Sequence, residues 1–192
     1  MKPIKTFAVI VTVLLLASCG GASTTSQSGD KGGEMKIKSP AFEDGKMIPD
    51  KYGYNFENIS PPLSWSGVPD GTKTLSIIST DPDSPSGEWV HWVVWGLLPV
   101  LTNIEEGQQK LNMMINGGIQ GVNDFDQIGW DGPSPPSGTH RYVFTLYALD
   151  VDLWDSSGAN GLKPGFARKD DLIQKMQGHI LAKAQLVGNF KK

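Results

Sequence analysis

Apolar positions along this chain fall mostly in short runs that alternate with polar ones, cut apart by glycine, proline and acidic residues. Met35 to Ser39 alternates as a short first strand. Ala41 to Tyr54 is turn-rich, with Asp44-Gly45 and Pro49-Asp50 as punctuation. Ser60 to Trp65 reads as an extended segment entered through prolines, with a turn from Gly67 to Gly71 after it. Lys73 to Thr80 is a β-branched strand, and Trp89 to Leu98 is apolar throughout, which predicts a strand buried on both faces. Asn103 to Gly107 suggests a polar helical turn, and Lys110 to Asn116 a further strand. Gly117 to Gly138 is a long loop that Phe125, Trp130 and three prolines, Pro133, Pro135 and Pro136, should keep ordered. His140 to Leu149 is a strand with Tyr142, Phe144, Leu146 and Ala148 on one face.

Helical spacing is clear only over Ala167 to Gln177, where Leu172, Ile173 and Met176 share a side and Gly178 supplies a stop. Ala184 to Phe190 closes the chain as a strand, and no internal repeat is present. This order predicts a mainly β fold, an antiparallel β-sandwich with one or two peripheral helices packed at one end. The six tryptophans, all beyond the first 33 residues, are large enough to anchor its core.

With 192 residues the chain suits one domain, over 35–192, plus tails. The net charge of −3 offers no basic footprint, so nucleic acid is not an expected partner. The first residues belong to export rather than to the fold: Lys2 and Lys5 precede an apolar run, Phe7 to Leu16, too short to span a bilayer. Leu16-Ala17-Ser18-Cys19 matches the lipobox of bacterial lipoproteins, and Cys19 is the only cysteine of the chain. The match implies a signal peptide over 1–18, lipidation of Cys19, and a mature domain free of disulfides and thiolate chemistry. Residues 19–34 form a tether, in which the Gly/Ser/Thr-rich stretch Gly20 to Gly33 has a random-coil reach of roughly 20 Å. The expectation is an exported protein anchored to a bacterial membrane, the outer membrane in a Gram-negative source or the outer face of the cell membrane otherwise.

Chemistry concentrates in two proline-stiffened loops. The first carries Asp81 and Asp83, each beside a proline, and leads into His91. The second runs from Gly129 to Tyr142 and delivers His140 at the start of a strand. Two imidazoles with nearby carboxylates suit anion binding, metal binding or acid–base work. Metal binding lacks any His-x-x-x-His or cysteine pair, and a serine hydrolase lacks its Gly-x-Ser-x-Gly elbow. The Gly117-Gly118-x-x-Gly121 run has no βαβ unit around it to bind a dinucleotide. Tyr142 shares a face with His140, whereas Arg141 points the other way and is expected to pair a carboxylate. His179 is expected at a helix end, interacting with its dipole.

Asp81-Pro82-Asp83-Ser84-Pro85 followed by Trp89-Val90-His91-Trp92 resembles the first signature of the phosphatidylethanolamine-binding protein family. Gly132 to Tyr142 resembles the second, and Gly121-Val122-Asn123-Asp124-Phe125 a third family segment. The details are similar to the bacterial, Raf-kinase-inhibitor-like YbhB/YbcL branch, although Ser134 stands where that branch usually has cysteine. The resemblance implies a β-sandwich with an anion pocket lined by Asp81, His91, Pro136, His140 and Tyr142 and bordered by Asp83 and Trp89. It implies a non-catalytic binder of a small anionic or phosphate-bearing ligand, such as a phospholipid head group, with no cofactor and no metal. A protein–protein regulator or inhibitor of an envelope enzyme, or a weak hydrolase using activated water, stays open beside it.

Overall fold

The strands predicted from alternation assemble into two sheets in the computed structural model, which describes residues 34–192. The leader, Cys19 and all of the tether but Glu34 lie outside the described residues. Strands β1 (Lys36–Lys38), β3 (Leu63–Ser66) and β6 (Asn103–Ile104) form a small sheet in the order β1-β3-β6. Strands β2 (Lys46–Met47), β4 (Thr74–Asp81), β5 (Trp89–Leu97), β7 (Ile119–Gln120), β8 (Thr139–Leu149) and β9 (Ile180–Lys191) form a large one, ordered β2-β9-β8-β4-β5-β7. All pairs are antiparallel except β2 with β9, which is parallel.

Side-chain alternation divides the large sheet between two cores. Leu75 and Ile77 of β4, Trp92 and Val94 of β5, and Tyr142, Phe144 and Leu146 of β8 pack towards the small sheet, against Ile37, Leu63 and Trp65. Ile78, Val93, Trp95 and Leu149 face the opposite way and are covered by the segment around Leu153 and Leu162 and by helix α1 (Lys169–Met176). Both faces are therefore apolar, which is why β4 and β5 read as continuous hydrophobic runs. The helix covers this second face rather than one end of the sandwich.

Three local expectations are corrected. Asn103–Ile104 is a strand, not a helical turn, because this stretch completes the small sheet: Leu63 pairs with Ile104, and Trp65 reaches back to Thr102 and Leu101 through its backbone N–H (2.8 Å) and indole N–H (2.7 Å). Lys110 to Asn116 forms no strand and contributes only a bridge from Met113 to Ile119. Ile173 is 40% exposed, while Leu172 and Met176 alone seat the helix on the sheet.

Two irregularities interrupt β5. Near its end, Gly96 has φ +69° and packs against Trp154, where a Cβ would lie 3.2 Å from that residue's backbone. Near its start, Ser79 pairs with Trp92 but Thr80 pairs with Val90, so His91 is an extra residue without a partner on β4. This is a β-bulge, and it re-aims a side chain. Strict alternation would send His91 to the face of Val93 and Trp95; the bulge turns it, with Trp92, towards the inner core.

Candidate functional site

Inner-face positions at the ends of three adjacent strands converge. Asp81 ends β4, His140 and Tyr142 begin β8, and bulged His91 opens β5. Above them is a hollow of about 270 Å³ lined by Asp81, Trp89, His91, Phe125, Ser134 and Pro136, among others. The loops of the two sequence signatures thus meet at one place.

Each imidazole is fixed through Nδ1. His91 Nδ1 lies 2.6 Å from the carbonyl oxygen of Asp131, which can only accept, so Nδ1 carries the proton and Nε2 is left for a ligand. Burial pushes the pKa of His91 down, against the raising effect of that carbonyl, and favours the neutral ring. His140 Nδ1 lies 2.7 Å from Asp81 Oδ2, and both side chains are almost fully buried. The other oxygen of Asp81 accepts from the backbone N–H of Asp83 at 2.8 Å, which folds the loop back over its own carboxylate. Among the described residues no serine hydroxyl is hydrogen-bonded to either imidazole.

Tyr142 is fully buried behind the hollow, its ring edge-on to His91 at 5.1 Å. Among the described residues, its buried hydroxyl and the buried indole N–H of Trp89 have no hydrogen-bond partner. Burial, and then the charge of Asp81, drive the Tyr142 pKa upward, so the phenol keeps its proton. Of the expected residues, Asp81, Trp89, His91 and Pro136 line the hollow, whereas His140 and Tyr142 do not, and neither does Asp83. Its carboxylate is clamped by Arg141 through Nε (2.9 Å), a second guanidinium nitrogen (2.6 Å) and the backbone N–H (2.9 Å). Those hydrogen bonds hold its pKa down at about 2. Arg141 is thus the carboxylate partner expected from its place on the outward face of β8.

The far wall depends on polar residues that the sequence did not single out. Asp131 is 1% exposed, and its carboxylate accepts from Lys110 Nζ (2.6 Å), Asn58 Nδ2 (2.8 Å) and Asn123 Nδ2 (2.9 Å). Asn123 Oδ1 in turn accepts the backbone N–H groups of Phe125 (2.9 Å) and Gln127 (3.1 Å). That turn presents the Phe125 ring, stacked on Tyr54 at 4.7 Å and edge-on to His91 at 5.4 Å. The available signal was the Asn-Asp-Phe segment itself; nothing marked Lys110 or Asn58. The start of α1 reaches the first signature loop and the Asn123 to Asp126 loop. Arg168 donates to the carbonyl of Asn123 at 2.9 Å and pairs with Asp126, while Lys169 pairs with Glu88. His179 is far along the chain from these loops, exposed, and paired with Asp150 at 2.8 Å. Among the described residues no group of three or more His, Cys, Asp or Glu is placed to hold a metal ion. None of their helices is long and apolar enough to cross a membrane.

Sandwich and hollow together define a known class. The family model described as "Phosphatidylethanolamine-binding protein" matches residues 38–191, and the chain belongs to that family. Within it the chain falls in the UPF0098, YbhB/YbcL-like branch. It is 45% identical to a UPF0098 protein of Methanothermobacter thermautotrophicus over 158 residues, covering 82% of this chain and 99% of the relative. A UPF0098 protein of Chlamydia trachomatis is 42% identical over 163 residues, with the same coverage. Among solved structures, a putative phosphatidylethanolamine-binding protein homologue from C. trachomatis superposes with TM-score 0.72 at 41% identity, over 83% of this chain and 98% of that one. Escherichia coli YbcL, described as a new member of the mammalian family, superposes with TM-score 0.74 at 25% identity, over 83% and 99%.

Proposed function

We propose that the protein binds, without turning it over, a small phosphate-bearing or otherwise anionic group in the hollow between the two signature loops. A phosphoethanolamine-type head group has the right charge and size class. The observation that carries this reading is the convergence of imidazoles from distant loops: His91 lines the hollow, His140 is tied through Nδ1 to Asp81, which lines it, and among the described residues neither Nε2 has a protein hydrogen-bond partner. Asp81 holds His140 through Nδ1, which leaves Nε2 as the ring atom of His140 available to an anion. His91, neutral in the fold, accepts from a P–O–H group or takes up a proton when the ligand has none. The name of the family supports a phosphate-containing ligand. The absence of a serine–imidazole pair among the described residues supports binding over acyl transfer.

The test is a phosphoethanolamine titration followed through the imidazole NMR signals, with exposed His179 as internal control. Selective shifts of His91 and His140 are expected. Equal or absent movement of all three rings at saturating ligand refutes the reading. We further propose that Cys19 carries the lipid and holds the domain outside the cytoplasm, at the outer membrane if the source is Gram-negative. Mass spectrometry of the membrane fraction is expected to find diacylglycerol on Cys19. A Cys19→Ala protein that stays in the membrane fraction would count against it.

A further inference from the structure

A second cavity, of about 480 Å³, adjoins the hollow. Ser134 and Pro136 line both, so they form a shared wall. The rest of its lining is of a different character: Phe56, Pro133, Pro135 and Phe190 are apolar, and Lys191 and Lys192 are cationic. Phe56 is 56% exposed, an unusual state for a phenyl ring that already has an aromatic neighbour. It stands edge-on to Phe190, with centroids 6.2 Å apart at 71°. Gly53 makes this packing possible: a Cβ there would come within 2.6 Å of Phe190 Cζ and 2.9 Å of Phe56 Cδ2.

The cleft is separated from the hollow only by the wall of Ser134 and Pro136, and packing links the two. Phe190 contacts Tyr142 edge-on at 6.5 Å, and Tyr142 contacts His91 at 5.1 Å, so one aromatic row runs from Phe56 to the imidazole. Lys192 Nζ donates to the carbonyl of Pro136 at 2.7 Å, which sets a cation on the lip between the cavities. A ligand that reaches over this wall meets, in order, the His91 imidazole, a positive lip and an apolar floor of phenyl and proline rings. That order matches a phosphodiester with a charged head and one apolar substituent.

We propose that the Phe56–Phe190 cleft is a subsite for the apolar chain of such an amphiphile, its head group seated in the hollow. The assignment rests on the head-group reading above. Chain burial on Phe56 then adds affinity that a bare head group lacks, because each buried methylene is worth about a three- to fourfold gain.

The experiment compares O-methyl and O-hexyl phosphoethanolamine, both below micellar concentration, with inorganic phosphate as a third ligand, by isothermal titration calorimetry. The wild-type protein should bind the hexyl ester at least about tenfold more tightly than the methyl ester. Phe56→Ser should remove that gain and leave the methyl ester's affinity unchanged. Equal affinity for the two esters in the wild type, or a gain that survives Phe56→Ser, overturns the subsite while the head-group reading stands. Binding of neither ester overturns both. Phosphate binding with no added affinity for either ester shows that the site takes free anions and not amphiphiles, which also overturns the subsite.

Discussion

Replacing Asp131 tests whether the wall of the hollow is held by one buried carboxylate. Asp131→Ala removes the acceptor for Asn58, Lys110 and Asn123 together. The three losses differ. Asn123 is wholly buried and keeps Gly129 O as a partner at 3.0 Å, so its other N–H is left with only the long contact to the carbonyl of His91 at 3.5 Å and is close to stranded. A stranded buried donor costs about 1–3 kcal/mol. Asn58 is partly exposed and recovers water, and the Lys110 side chain, 38% exposed, swings outward, so these two add less. The total is about 2–4 kcal/mol, or roughly 2–4 °C of Tm for each kcal/mol in a domain of this size. Asp131→Asn keeps the volume and one acceptor but sets its NH2 against that of Asn123, and should cost about 1–3 kcal/mol. Differential scanning calorimetry of both variants, with a Lys110→Met cycle, gives the coupling directly. The backbone carbonyl of residue 131 holds His91, so the His91 imidazole signal should move as well. An Asp131→Ala protein melting within about 2 °C of wild type, with His91 undisturbed, would refute the argument.

Four further outcomes are expected. Gly132→Ala should lower the urea midpoint by the equivalent of about 3 kcal/mol, because its Cβ would sit 1.9 Å from the Tyr52 carbonyl oxygen and 2.8 Å from the backbone of Gly53 and Tyr54. Asp83 has a folded pKa of about 2 against an ordinary 3.8, so its stabilisation is complete above the higher value and is lost as pH falls towards the lower. Arg141→Ala should flatten the stability–pH curve in that window, though only modestly because the pair is largely open to solvent. His91 has a lowered pKa, so below its ordinary 6.5 the unfolded chain gains a proton that the fold refuses and stability declines; His91→Gln should make the Tm less sensitive to pH between 7.5 and 5. Arg168→Glu with Lys169→Glu should release the first signature loop and the Asn123 to Asp126 loop from α1 and weaken phosphoethanolamine binding about threefold to tenfold by calorimetry, without a matching fall in Tm.

The sequence carried the sandwich because its strands are long where burial is strong. The β8 alternation of Tyr142, Phe144, Leu146 and Ala148 matches a face that is fully buried. It failed at Asn103, where a two-residue strand is fixed by a partner some forty residues away, and at Lys110, where a single bridge to nearby Ile119 leaves almost no local pattern. At the site, Asp81, His140 and Tyr142 follow from strand alternation alone. His91 does not: its aim comes from a bulge that depends on how β5 pairs with β4. Asp83 was readable as an acid beside a proline, but its rotation away from the hollow depends on Arg141, nearly sixty residues later. Lys110 and Asn58 belong to a network whose members touch only after folding.

The parallel pairing of β2 with β9 guards a long strand edge when the protein is crowded. β9 is twelve residues long and has only the two residues of β2 on its outer side. Gly45 and Ile48 donate to Val187 and Asn189, and the side chains of Asp44 and Asn189 close the remaining backbone groups there, so this end is hemmed. A border left raw would invite a strand from another molecule. Losing that hem, by cutting or unfolding 44–48, would therefore show first as fibres or clumps, before any fault appeared in the hollow itself.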